Sequence, residues 1–243
     1  GGRKGEQMEK KFKVTYLYDC GFLVETERSY MLFDYWKGEI PFMEYKKELY
    51  IFASHAHRDH FSDAIFKLEN KCEKVQYILS SDIKDSTRSW AKAENVHFMS
   101  PHESLDVDGA HVETLFSTDE GVAFLVEADG RSIYHAGDLH WWHWPGEPDE
   151  DNEWHRKAFQ KEMTYLAGKE FDCAFVVLDP RQEEAGTWGM DYFLKTVRSR
   201  YIFPMHCWNN YRMIREYKVK NDAKYLTGQI MEITAPGQEF VLE

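Results

Sequence analysis

The 243-residue sequence predicts one α/β domain in which β-sheets are covered by helices. Three observations point there. The short continuous apolar run at residues 49–53 has the length and composition of a strand buried on both faces, residues 75–79 read as another buried strand, and residues 171–178 as a further strand. Apolar segments flanking turn residues supply antiparallel hairpins, and stretches with helical spacing alternate with both. No linker, low-complexity run or repeat divides the chain, so residues 8–243 read as a single domain. Residues 1–7, before Met8, read as a cloning remnant or a disordered segment.

Taken in order, residues 12–18, 21–26 and 30–33 are β-rich runs separated by turn residues, a meander. Residues 62–68 predict a helix that Ser62 can cap, with Ile65, Phe66 and Leu68 turned inward. A second helix is expected over 86–93. From residue 107 the pattern becomes antiparallel, and Asp129-Gly130 between two apolar runs is a strong hairpin signal. Helices are expected over 154–166, ended by Gly168, and over 192–197 and 210–218, with a short strand at 201–203. Residues 231–242 read as strands around Pro236-Gly237.

Composition narrows the function classes. The net charge of −12 and the lack of any basic block speak against a polynucleotide partner. No run approaches the roughly 20 apolar residues of a membrane span, and no signal-peptide pattern opens the chain. Cys20, Cys72, Cys173 and Cys207 are scattered without a C-x-x-C, which suits thiols in a reducing compartment. A cytoplasmic protein with a small-molecule substrate is expected, and self-association is left open.

The chemistry concentrates in Ser-His-Ala-His-Arg-Asp-His, residues 54–60, directly after a buried strand. His55 and His57 lie two apart, so an extended backbone projects them to one side, while Asp59 and His60 follow as the chain turns. Imidazole with carboxylate and no thiolate suits a catalytic zinc, iron or manganese better than a closed zinc knuckle. Two later segments repeat the pattern of a strand followed by a metal-type side chain. Asp138 follows Gly137 in "HAGD", and His206 ends "FPMH". Each has a plainer reading, Asp138 as a cap and His206 as a satisfied core histidine. Trp141, Trp142 and Trp144, with His140 and His143, come straight after Asp138 and suggest either a stacking platform or core filling. Arg181, in "LDPRQE", could meet an anionic group or pair with a neighbouring acid. Trp188, Trp208 and Asn209 are lesser candidates for substrate contact.

"HAHRDH" resembles the H-x-H-x-D-H signature of the metallo-β-lactamase superfamily, and "HAGD" and "PMH" follow in the order that family keeps. The similarity is strongest to its metal-dependent hydrolase branch, which includes ascorbate-6-phosphate lactonase-like proteins. The resemblance implies an αββα four-layer sandwich, two mixed sheets face to face with helices outside and a metal site on one edge. It implies that His55 and His57 bind a first metal, that Asp59, His60 and His206 bind a second, and that Asp138 bridges them. One departure stands out: where the family supplies a further histidine, this chain reads Phe116-Ser117-Thr118-Asp119, so Asp119 is a candidate oxygen ligand.

One or two divalent ions are therefore expected, zinc foremost, with manganese, iron or nickel also compatible. The expected activity is hydrolysis of a lactone, ester or amide of a small molecule by metal-activated hydroxide, with Asp59 and Asp138 as the catalytic carboxylates. Alternatives are a phosphodiesterase on the same fold and a non-catalytic metal-binding sensor or scaffold, to which the missing histidine lends support. No G-x-S-x-G elbow competes as a nucleophile.

Overall fold

A computed structural model describes residues 10–87, 89–225 and 228–243; the expectation for residues 1–7 lies outside this range. Among the described residues, fourteen strands form two seven-stranded mixed sheets. The first is built from β1 (Phe12–Tyr18), β2 (Gly21–Glu25), β3 (Ser29–Phe33), β4 (Glu48–Ala53), β5 (Lys74–Ser80) and β6 (Val96–Met99), and β14 (Glu239–Leu242) joins the outer edge of β1. The second runs β13-β12-β11-β10-β9-β8-β7. Its strands are β7 (Ser104–Val107), β8 (Ala110–Phe116), β9 (Val122–Ala128), β10 (Arg131–His135), β11 (Glu170–Val177), β12 (Arg198–Met205) and β13 (Gln229–Ile230).

The apolar runs explain the mixture. β1 to β3 pair antiparallel through tight turns. β4, whose last five residues are all buried, lies parallel between β3 and β5, where a strand covered on both faces needs no polar alternation. β9 and β10 form the anticipated hairpin. Its two turn residues, Asp129 and Gly130, have φ of +48° and +74°, as a type I′ turn requires. β10, β11 and β12 are parallel to one another.

The two sheets face each other across an aromatic core. Phe22 meets Phe175 with ring centroids 4.3 Å apart, and Phe52 meets Phe124 at 5.3 Å. On the far face of the second sheet lie α1 (Asp149–Leu166), α2 (Trp188–Thr196) and α3 (Tyr211–Asn221), whose Phe159, Met163, Phe193 and Ile214 are buried in a layer continuous with this core. Helix α1 begins five residues before the expected start because Asp149, Glu150 and Asp151 fill its first turn, where acidic groups suit the helix dipole. Gly168, at φ +79°, follows its end. Asn210 caps α3 by accepting from the Met213 N–H.

The outer layer on the first sheet differs from the expected helices. Residues 63–68 form a 3₁₀ segment, capped by Ser62 as anticipated, and pack Ile65, Phe66 and Leu68 on Leu49, Ile51 and Tyr77. The helix expected over 86–93 is absent among the described residues. A 3₁₀ segment, Ser81–Thr87, precedes turns there, and the Thr87 hydroxyl donates back to the Ile83 and Lys84 carbonyls, closing the segment. Residues 231–238 are a loop, because Gly237 (φ +87°) turns the chain before β14. No described helix is long and apolar enough to cross a membrane.

Candidate metal centre

Parallel pairing assembles the site. Phe33 lies opposite Phe52 in β3 and β4, and Val177 opposite Met205 in β11 and β12. The residues just beyond these strands therefore emerge side by side at one edge of the sandwich: Asp34 beside Ser54 and His55, and Asp179 beside His206. Asp138 arrives after β10 through Gly137, whose φ is +56°; a Cβ there would stand 2.7 Å from the Ser54 Cβ. Gly121 permits a second close approach. At φ +80° its own Cβ would sit 1.9 Å from the Ser54 carbonyl oxygen and 2.4 Å from the His55 Cβ.

His60, Asp138 and His206, far apart in sequence, converge. Asp138 Oδ1 stands 2.9 Å from His60 Nε2 and 3.1 Å from His206 Nε2, and Asp138 Oδ2 is 3.2 Å from His55 Nε2. Asp59 Oδ2 lies 3.1 Å from His60 Nε2 and 3.9 Å from His206 Nε2. His57 stays within ligand distance of His55 and Asp138 but reaches outward to Glu120 at 2.9 Å. Asp119 lies beside Asp138, and burial together with that neighbour's charge raises its carboxyl above the usual range. Helix α1 brings His155 to the same cavity, near Asp119, and its Nδ1 is buried without a partner.

The far sides of three imidazoles are held in one tautomer. Asp34, fully buried, accepts from the Ser54 N–H at 2.7 Å, the Ser54 hydroxyl at 2.6 Å and His60 Nδ1–H at 2.7 Å. With its proton committed to Asp34, the Ser54 hydroxyl is left to accept from His55 Nδ1–H at 3.2 Å. Asp179 accepts His206 Nδ1–H at 3.1 Å and also grips Arg181 through Nε and Nη2. Carboxylates bonded this way fix the tautomer and aim each Nε2 forward. Asp34 and Asp179 were not singled out in the sequence, although both repeat the pattern of a strand followed by a carboxylate.

The forward-facing atoms fit a divalent ion. His55 Nε2, His60 Nε2 and Asp138 Oδ1 are buried and make no hydrogen bond, an expensive state unless a cation meets them. Without a metal the charges answer one another. Burial would raise Asp138, but the His60 charge and the three imidazoles hold it well below the usual carboxylate range. Burial would lower His206, but Asp138 and Asp179 lift it to about 10. Four of the non-glycine residues with positive φ, Asp19, Asp34, His206 and Trp208, lie at this edge, in keeping with strain stored at functional sites.

A cavity of about 440 Å³ opens over the cluster, walled by Trp142, Trp144, Trp208 and Arg181. Arg181 is held by Asp179 and lies over the Trp144 and Trp208 rings at 5.6 and 5.9 Å, so its two sequence readings, acid pairing and cavity wall, coexist. His140 and Trp141 do not reach the cavity. His140 is buried against Gln182 at 2.7 Å, and burial lowers it to about 4. Trp141 packs against Trp188, Tyr192 and Phe159. Trp142 and Trp144 take the wall positions instead: the Trp142 indole N–H donates to the Asp138 carbonyl, and Asn152 bonds both backbone groups of Trp144.

Residues 13–144 match the family model described as a beta-lactamase superfamily domain. The chain is 31% identical over 104 residues to a metal-dependent hydrolase of Staphylococcus epidermidis, a match covering 37% of this chain and 44% of that relative's length. It is 24% identical over 247 residues to a metal-dependent hydrolase of Heliobacterium modesticaldum, across 94% of this chain and 97% of the relative. A solved metallo hydrolase from the archaeon Ignicoccus hospitalis shares the fold, with a TM-score of 0.66 at 18% identity over 96% of this chain and 99% of that one.

Proposed function

Because this chain belongs to the beta-lactamase superfamily, we propose that it is a metal-dependent hydrolase opening a lactone, ester or amide of a small molecule. The observation carrying this reading is the convergence of His60 Nε2 and His206 Nε2 on Asp138 Oδ1, at 2.9 and 3.1 Å, with the first and last of those three atoms left without a hydrogen bond. His55, His57 and Asp138 would hold one ion, with Asp119 and His155 beside them; Asp59, His60, Asp138 and His206 would hold the other. A divalent ion there supplies a polarised substrate oxygen and lowers the pKa of water from 15.7 towards ~7.

The protein's own groups do the rest. Asp34 and Asp179 keep the imidazoles aimed forward. Asp59, which the neighbouring His60 holds below the usual carboxylate range despite burial, is ionised at neutral pH and can orient the attacking water and take its proton at the carboxylate oxygen left free of the ion. Trp142, Trp144 and Trp208 exclude water around the scissile bond, and the cavity suits a small molecule, not a polymer. Arg181 on its wall also supports a second reading, a small phosphodiester as substrate. The buried free thiols support a reducing, cytoplasmic setting.

Elemental analysis of the purified protein should find a bound divalent metal, and a panel of lactones, carboxylic esters and bis-p-nitrophenyl phosphate separates the two substrate readings. Asp138→Ala should abolish both metal retention and turnover. Full turnover by that variant refutes the mechanism, and metal-free protein at every loading favours a scaffold.

A further inference from the structure

Asp19 belongs to no motif in the sequence, yet it reaches the second half of the centre. It sits in the turn between β1 and β2 at φ +56°. Its N–H donates to the Tyr16 hydroxyl at 2.9 Å, and its Oδ1 accepts the Trp208 N–H at 3.2 Å. The other oxygen, Oδ2, is buried without a hydrogen-bond partner, and the residue is 2% exposed. A buried carboxylate oxygen left bare is costly unless it meets positive charge. Ligand atoms of Asp19, Asp59 and His206 all lie within 4.8 Å of one another, a separation that one ion can span.

We propose that Asp19 is a further oxygen ligand of the second centre, beside Asp59, His60, Asp138 and His206, and that it biases this centre towards manganese(II) or iron(II) relative to zinc. The inference rests on the metal-dependent reading above. Three carboxylates and two imidazoles make five protein donors, more than tetrahedral zinc uses. An oxygen-rich set with one position left for water or substrate suits a six-coordinate ion such as manganese(II) or iron(II). The Asp19 N–H on the Tyr16 hydroxyl and its Oδ1 on the Trp208 N–H hold the carboxylate in place before any ion arrives.

The test compares manganese(II) and zinc affinities of the wild-type protein with those of Asp19→Asn. The amide keeps an oxygen for the Trp208 N–H and nearly the same shape, so the fold should survive, which denaturation in chelator verifies. Manganese(II) affinity should fall about tenfold or more, zinc affinity should fall clearly less, and the electron paramagnetic resonance spectrum of bound manganese(II) should alter. Should the amide variant fail to fold, an anomalous-scattering map of wild-type crystals soaked in manganese(II) decides: Asp19 Oδ2 should lie within direct coordination distance of the ion. Unchanged manganese(II) binding and spectrum, equal losses for both ions, or a carboxylate outside coordination reach overturns the assignment while leaving the hydrolase reading intact. A wild-type protein that binds neither ion overturns both.

Discussion

Replacing Asp34 by Asn tests whether the groups behind the imidazoles govern the centre. Asp34 Oδ1 serves the Ser54 N–H, while Oδ2 takes both the Ser54 hydroxyl and His60 Nδ1–H. An asparagine that keeps its oxygen on the Ser54 N–H turns its NH₂ towards His60 Nδ1, donor against donor. The imidazole escapes by moving its proton to Nε2, the atom that faces Asp138 at 2.9 Å, and a protonated Nε2 cannot ligate. Metal affinity should therefore drop about 10–100-fold. Folding should lose one hydrogen bond to a charged acceptor, about 1.5–3 kcal/mol, which for a chain of this length lowers Tm by roughly 3–12 °C. Chelator competition reads the first quantity and thermal denaturation of metal-free protein the second. Metal affinity within twofold of wild type would show that Asp34 does not set the His60 tautomer.

Three further outcomes follow from the same geometry. His206 is lifted from 6.5 to about 10 in the folded, metal-free state, so between those values the native protein binds more protons than the unfolded chain. Its contribution is whole below pH 6.5 and disappears as pH climbs through 10; urea midpoints of chelator-treated protein should fall accordingly, and a rise over that window contradicts the assignment. Metal loading at pH 7 should release about two protons, from His60 and His206, measured by calorimetry in buffers of differing ionisation enthalpy. Gly121→Ala should cost roughly 2–5 kcal/mol, combining left-handed backbone strain with overpacking against Ser54 and His55; denaturant titration reads this, and a near-neutral variant would mean the loop can part from His55.

Which parts of the centre could be read in advance follows from how far apart their causes lie along the chain. His55, His57, Asp59 and His60 fall within six consecutive positions, so the backbone after one buried strand dictates their company, and the residue types alone name the chemistry. The meander, the Asp129-Gly130 hairpin and the Ser62 cap are equally local, set by turn geometry and hydrogen bonds a few residues long. Asp34 and Asp179 are different. Each is an ordinary aspartate after a strand until parallel pairing places β3 against β4 and β11 against β12. Only that register sets the carboxylates behind His60 and His206. Packing likewise decided which tryptophans line the cavity, since Trp141 and Trp142 are neighbours in sequence but face opposite ways at the sandwich edge. Local sequence determined the kinds of ligand this protein carries; the juxtaposition of sequence-distant strand ends, which no local pattern encodes, decided how they are aimed.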